Sequence, residues 1–195
     1  MTDEEVVAAQ KEKMHRAVGE CVLTWSWVEV HMASIFACCI GASGVTADTV
    51  LSIPKAFEVR SQMVHAAVRI FLANHPLLDD WNLIYNYVCK MSGRRNEVAH
   101  ATMLSVDNKF IVLEPYFVMT SPKTHIAVEE VERRAAEFTD LHLLMAWLTF
   151  EFHAVRHPVP QIRFPTSAPD LLLRLRTEND QRREAQRARQ KPSAE

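Results

Sequence analysis

Gly93-Arg94-Arg95-Asn96-Glu97-Val98-Ala99-His100 closes the best apolar helix pattern of the chain with an abrupt polar cluster. Leading into it, Leu77, Trp81, Ile84, Val88, Met91, Arg95 and Val98 recur at steps of four and three, which puts them on one helical face. Asp79 and Asp80 stand in its first turn, at the positive end of the helix dipole. Arg95 therefore continues a core-facing stripe. After His100 the helical period fails. Met103–Val106, then Asp107-Asn108, then Phe110–Val118 read as two short strands about a polar turn.

Upstream, Thr2 followed by Glu5 fits a capping box that opens the first helix. From Val18 its seam runs Val18, Val22, Trp25, Glu29, Met32, Phe36, Cys39, so Glu29 sits where an apolar residue is expected. A carboxylate left unpaired there costs several kcal/mol or shifts its pKa upward. Pairing it with Arg95 satisfies both charges, and a contact between the first and third helices is expected. Gly41 and Gly44 end the first helix. Pro54 suits the first turn of a second helix running to Asn74, whose apolar face carries Phe57, Val64, Val68 and Phe71. Arg60 projects about 60° from that face, and structural pairing is its simplest use.

Downstream, Val128, Val131, Ala135, Phe138, His142, Met145, Thr149 and Phe152 mark a fourth helix to about Arg156. The fold class expected is all-α, a bundle of four main helices with a short β-hairpin after the third, spanning residues 1–157. Residues 158–195 form a Pro-rich connector and a charged C-terminal helix or tail. Residues 181–195 are expected to fray, because little beyond Leu175 is apolar.

The chain has 195 residues, 48% of them hydrophobic, and a formal net charge of -2, so it is not the basic body of a general nucleic-acid binder. Any RNA contact must come from a local patch. Between Asp170 and Glu195, six arginines and one lysine face five acids, an excess that a solvated helix explains as well as phosphate contact. Cys21, Cys38, Cys39 and Cys89 fit neither a zinc ribbon nor a disulfide framework. The acidic start, and the reading that no apolar run approaches the roughly 20 residues of a membrane span, point to a cytoplasmic protein. His153 and His157 share a helix face, but Glu151 points about 200° from His153, so no metal site is read there. No cofactor is expected. Trp25, Trp27, Trp81 and Trp147 read as core residues.

Asn96 and His100 are four apart and share a face, whereas Arg95 and His100 differ by about 140°. Without a metal, such a trio can cleave a phosphodiester: histidine transfers the proton, arginine holds the phosphate, and asparagine positions them. The ordinary alternative is a helix end carrying cations and a satisfied histidine.

Arg95-Asn96-Glu97-Val98-Ala99-His100 resembles the signature of the HEPN (higher eukaryotes and prokaryotes nucleotide-binding) superfamily, an arginine followed by a polar residue and then a histidine. Its place at the end of the bundle's third long helix and a polar residue in the first, Glu29, are similar too. The resemblance covers residues 15–157 as a fold and only these few positions as a motif. It implies a homodimeric, metal-independent ribonuclease whose two motifs meet in a cleft, with Arg95 and His100 catalytic, Asn96 supporting, and a 2′,3′-cyclic phosphate product. Arg94 also stands within the allowed spacing, and Asn96 after Arg95 favours Arg95. A toxin or defence role with an antitoxin or regulatory partner follows from the same resemblance. The alternative function is a non-catalytic module binding RNA, nucleotide or protein through the same surface.

Overall fold

The structure, a computed structural model, describes residues 2–106, 110–115, 125–158 and 168–190. Among these the chain is mostly helical. In order it forms α1 (Asp3–Ile40), α2 (Gly44–Ser52), α3 (Phe57–Phe71), α4 (Leu77–Ala99), β1 (Ala101–Val106), β2 (Phe110–Pro115), β3 (Ile126–Ala127), α5 (Val128–Arg156) and α6 (Asp170–Gln190). By contact clustering the chain divides into two compact units, residues 1–31 with 89–142 and residues 32–88 with 143–195. The long helices α1, α4 and α5 each supply a segment to both.

In the first unit, α1 opens with the capping box: Thr2 N donates to Glu5 Oε2 at 2.7 Å and Glu5 N to Thr2 Oγ1 at 3.3 Å. Met14, Ala17, Cys21, Trp25 and Val28 are its buried line; of the seam expected, Trp25, Met32 and Phe36 are buried along α1, whereas Val18, Val22, Glu29 and Cys39 are half-buried. Val18, Val22 and Glu29 sit at its edge, half-buried. Trp25 meets Phe138 of α5 edge-on at 5.8 Å, an arrangement aromatic rings favour. The strands form an antiparallel sheet in the order β1-β2-β3, with Ala101 opposite Pro115 and Leu113 opposite Ile126. Ile111 and Leu113 alternate into the core, and Ile111 N donates to Gln10 Oε1 of α1 at 3.2 Å. The remainder of the expected second strand, residues 116–118, lies outside the described residues.

In the second unit, Trp81 of α4 packs edge-on against Phe152 of α5, and Arg156 donates to the Cys38 carbonyl near the end of α1. Gly41 follows α1 with φ 72°, the left-handed conformation that ends helices. Gly44 does not belong to that cap. Ser43 accepts from Thr46 N at 3.1 Å and starts α2, a helix the sequence pattern missed. Pro54 consequently lies between α2 and α3, which begins at Phe57. Among the described residues α2 is thus added to the four main helices and the C-terminal helix expected, and the hairpin strands follow α4.

The C-terminal helix α6 buries Leu171, Leu172 and Leu175, and Arg176 grips Asp80 with two hydrogen bonds of 2.8 and 2.6 Å. It stays helical to Gln190, through part of the stretch expected to fray, and residues 191–195 lie outside the described residues.

Two further expectations are corrected on α1. Trp27 is 56% exposed, not a core residue. Among the described residues α1 also passes, by length and composition, as a candidate membrane span, with 39% of its apolar window buried. Cys21–Ile40 carries a single charged side chain, Glu29, so an apolar run of that length does exist. Core helices of soluble proteins pass the same test of length and composition.

Gly41 carries a stability prediction. A Cβ there would stand 2.5 Å from Arg156 Nη2, on a backbone with φ 72°. Gly41→Ala is expected to lower stability by about 1–2 kcal/mol, read as a fall in urea midpoint. An unchanged midpoint would show that Arg156 yields freely and that the cap is unstrained.

Candidate functional site

The polar cluster lies at the C-terminal end of α4, in the first unit. α4 buries Met91 and Val98 there, and Arg95 between them is half-buried on the same stripe, as its spacing requires. His100 N donates to Asn96 O at 3.1 Å, so the helical turn extends to His100 and places Asn96 and His100 on one face. Both are exposed. β1 begins at the next residue, so the sheet fixes the chain directly after His100.

The two arginines have different surroundings. Arg94 donates to Glu137 of α5, and that contact opens a ladder of charges. Arg133 Nη1 bonds the other Glu137 oxygen at 2.6 Å and holds Glu130 at 2.6–2.9 Å. Arg134 Nε meets Glu130 Oε1 at 2.9 Å, and its Nη1 returns to Glu97 of α4 at 2.7 Å. The side chain of Arg134 is only 11% exposed, so this end of the ladder is screened least. The hydrogen bond from Arg134 holds the Glu130 carboxyl below its usual range. For Arg134, burial works against the charge, but the bonds to Glu130 and Glu97 prevail and raise its pKa.

Arg95 is outside that ladder. Its Nη1 donates to Asn96 Oδ1 at 3.2 Å, and its Nε is buried without a hydrogen-bond partner. The expected ion pair with Glu29 is not formed: Glu29 accepts the Trp25 indole N–H at 2.8 Å. Glu29 lies half-buried at the edge of the buried line of α1. The Asn96 bond has a consequence for the site. It sets the Arg95 guanidinium beside a side chain that shares its helix face with His100.

Arg60 belongs to the second unit, where its guanidinium lies 5.8 Å from the Phe57 ring centre. The cysteines are free thiols. Burial pushes Cys21 and Cys39 up to about 12, which keeps both protonated and unreactive at neutral pH. Among the described residues no group of three or more His, Cys, Asp or Glu side chains is placed to hold a metal.

Sequence reasoning missed Glu137, Arg133 and Arg134 as neighbours of the cluster. The signal was present in Glu130/Arg134 and Arg133/Glu137, two pairs at helical i,i+4 spacing. It also missed the histidine pair of this unit: His31 and His142 have ring centres 5.2 Å apart, and His142 Nδ1 is buried without a hydrogen-bond partner.

Burial, and next the neighbouring His142, lowers the His31 pKa from 6.5 to about 4. The folded protein thus resists a proton that the unfolded chain accepts. This contribution to stability is fully present above pH 6.5 and is lost as pH falls through 4. His31 is partly exposed, and solvent screening limits the effect to on the order of 1 kcal/mol. Glu130 adds acid sensitivity only lower down, below its ordinary 4.5. His31→Gln is therefore expected to flatten the fall in urea midpoint between about pH 7 and 5. Identical slopes for wild type and variant would contradict it.

Compared with known proteins, the chain matches no family model, no curated protein and no solved structure.

Proposed function

We propose that the chain is a HEPN-like, metal-independent endoribonuclease that works as a homodimer in the cytoplasm, with Arg95 and His100 of two copies lining one cleft. The observation that supports this most is the division of labour between adjacent arginines. Arg94 is taken up by Glu137, whereas Arg95 bonds Asn96 and, among the described residues, no carboxylate, next to the exposed face that carries His100.

The chemistry follows from these groups. One imidazole takes the proton of an RNA 2′-hydroxyl, the 2′-oxygen attacks the adjacent phosphorus, and the bond to the 5′-oxygen breaks. That oxygen leaves with a proton returned by an imidazolium. The products are a 2′,3′-cyclic phosphate and a 5′-hydroxyl. Arg95 offsets the charge that gathers on the phosphoryl oxygens, and it can do so because guanidinium stays charged at any working pH. Asn96 positions the arginine. A toxin or defence role, restrained by an antitoxin or regulatory protein, fits an RNase of this kind.

The test is incubation of the purified chain with a broad RNA panel in chelator, followed by analysis of the new ends. Cyclic phosphate and 5′-hydroxyl ends are expected. RNA bound but left uncut across the panel would replace this reading with a non-catalytic binding module.

A further inference from the structure

Trp81 is 1% exposed and lies among the rings of the second unit, where Phe152 of α5 meets it edge-on at 6.1 Å. Its indole N–H can only donate, and a donor buried there needs an acceptor. The acceptor comes from α3: Trp81 Nε1 donates to His65 Nδ1 at 3.0 Å. The His65 imidazole is half-buried and stacks on Tyr85, one turn further along α4, with ring centres 4.1 Å apart and planes 18° apart. A single histidine of α3 thus holds two aromatic residues of α4, each by a different interaction.

The two interactions answer differently to a proton. A neutral imidazole has one N–H and one lone pair, so a bond accepted at Nδ1 places the proton on Nε2. An imidazolium donates from both nitrogens, and at Nδ1 it sets one N–H against another. The bond to Trp81 is then lost, and the buried indole N–H is left without its acceptor. The stack on Tyr85 survives, because a cation is attracted to the face of an aromatic ring.

The surroundings of His65 keep it neutral. Arg69 stands one turn further along α3, and α4 presents the rings of Trp81 and Tyr85. Asp80, beside Trp81 in the sequence, is engaged by Arg176 of α6, and among the described residues no carboxylate pairs with the imidazole. Burial, and next Arg69, lower the His65 pKa from 6.5. The bond is therefore fully present above pH 6.5 and is lost as pH falls through the lowered value.

We propose that His65 is an acid-sensitive latch on Trp81: neutral, it ties α3 to Trp81 of α4, and protonated, it releases Trp81 while staying stacked on Tyr85. The latch lies within the second unit, goes beyond the nuclease reading and does not depend on it. It is also distinct from His31, which belongs to the first unit.

The test follows one indole group in the full chain. In isotopically labelled protein the assigned Trp81 indole signal is recorded between about pH 7.5 and 5, and the imidazole nitrogen shifts of His65 locate its proton. At neutral pH the proton is expected on Nε2. On acidification the Trp81 signal is expected to shift with the His65 midpoint, below 6.5, and its N–H to exchange with solvent about tenfold faster in the acid form. His65→Asn puts an amide oxygen where Nδ1 stands and takes no proton, so its Trp81 signal is expected to stay constant. The tautomer and the titration are read on wild type, so the outcome does not hang on the folding of the variant. A neutral imidazole protonated on Nδ1 overturns the proposal, as does a Trp81 signal that stays put while His65 titrates. So does a His65 that takes up no proton before the chain unfolds, or a Trp81 signal that still titrates in His65→Asn.

Discussion

Replacing His100 by alanine is expected to lower RNA cleavage by about 10²–10⁴-fold, the usual worth of a positioned general acid or base. The side chain is exposed at the end of α4, so the fold is expected to survive and the melting temperature to change little. Arg95→Ala is expected to cost on the order of 10²–10³-fold, as for other groups aimed at developing negative charge. Arg95→Lys rescues little, because an ammonium has neither the planar fork nor the reach to bond Asn96 and a phosphate together. If the two motifs act in one cleft, mixing inactive His100→Ala with inactive Arg95→Ala restores part of the activity when each copy supplies the group the other lacks. Cleavage by His100→Ala at the wild-type rate would remove the histidine from the chemistry.

The second large effect concerns stability. Phe138 is fully buried and presents itself edge-on to Trp25, 5.8 Å between ring centres, at the middle of the first unit's core. Phe138→Ala is expected to cost about 3–5 kcal/mol, the sum of lost transfer energy and the cavity left behind. Trp25 is also held through its indole bond to Glu29, which limits how far it can move to fill the space. Urea denaturation measures the loss. A change below about 1 kcal/mol would mean that this unit is not packed as described.

The long helices were legible where one face dominates. On α4, Leu77, Trp81, Ile84, Val88, Met91 and Val98 are all buried in the predicted line, and on α5 Val128, Val131, Ala135 and Phe138 behave likewise. α1 was harder for a physical reason: it is apolar on both sides. Two ridges, one through Val22 and Glu29 and one through Cys21 and Val28, fit the same period, and only packing selects between them. The expected seam shares Trp25, Met32 and Phe36 with the buried line but also took in Glu29, which is half-buried, and so led to a pairing with Arg95, whose guanidinium bonds Asn96. α2 was hidden because Gly41 and Gly44 look like one cap, although Ser43 between them opens a new helix. The polar cluster at the end of α4 was legible as a local run. The partner of Arg94 was not, since Glu137 lies 43 residues away on another helix.

The central claim is that Arg95, and not Arg94, is the arginine of the site, and a paired comparison tests it directly. Arg94→Ala and Arg95→Ala are assayed on the same RNA in chelator, at a temperature where both are folded, and their melting temperatures are recorded alongside. Arg94→Ala is expected to cut RNA within a few-fold of wild type and to melt lower, having lost the Glu137 contact, while Arg95→Ala is expected to lose about 100-fold or more of the rate. Full activity in Arg95→Ala together with loss in Arg94→Ala would contradict it.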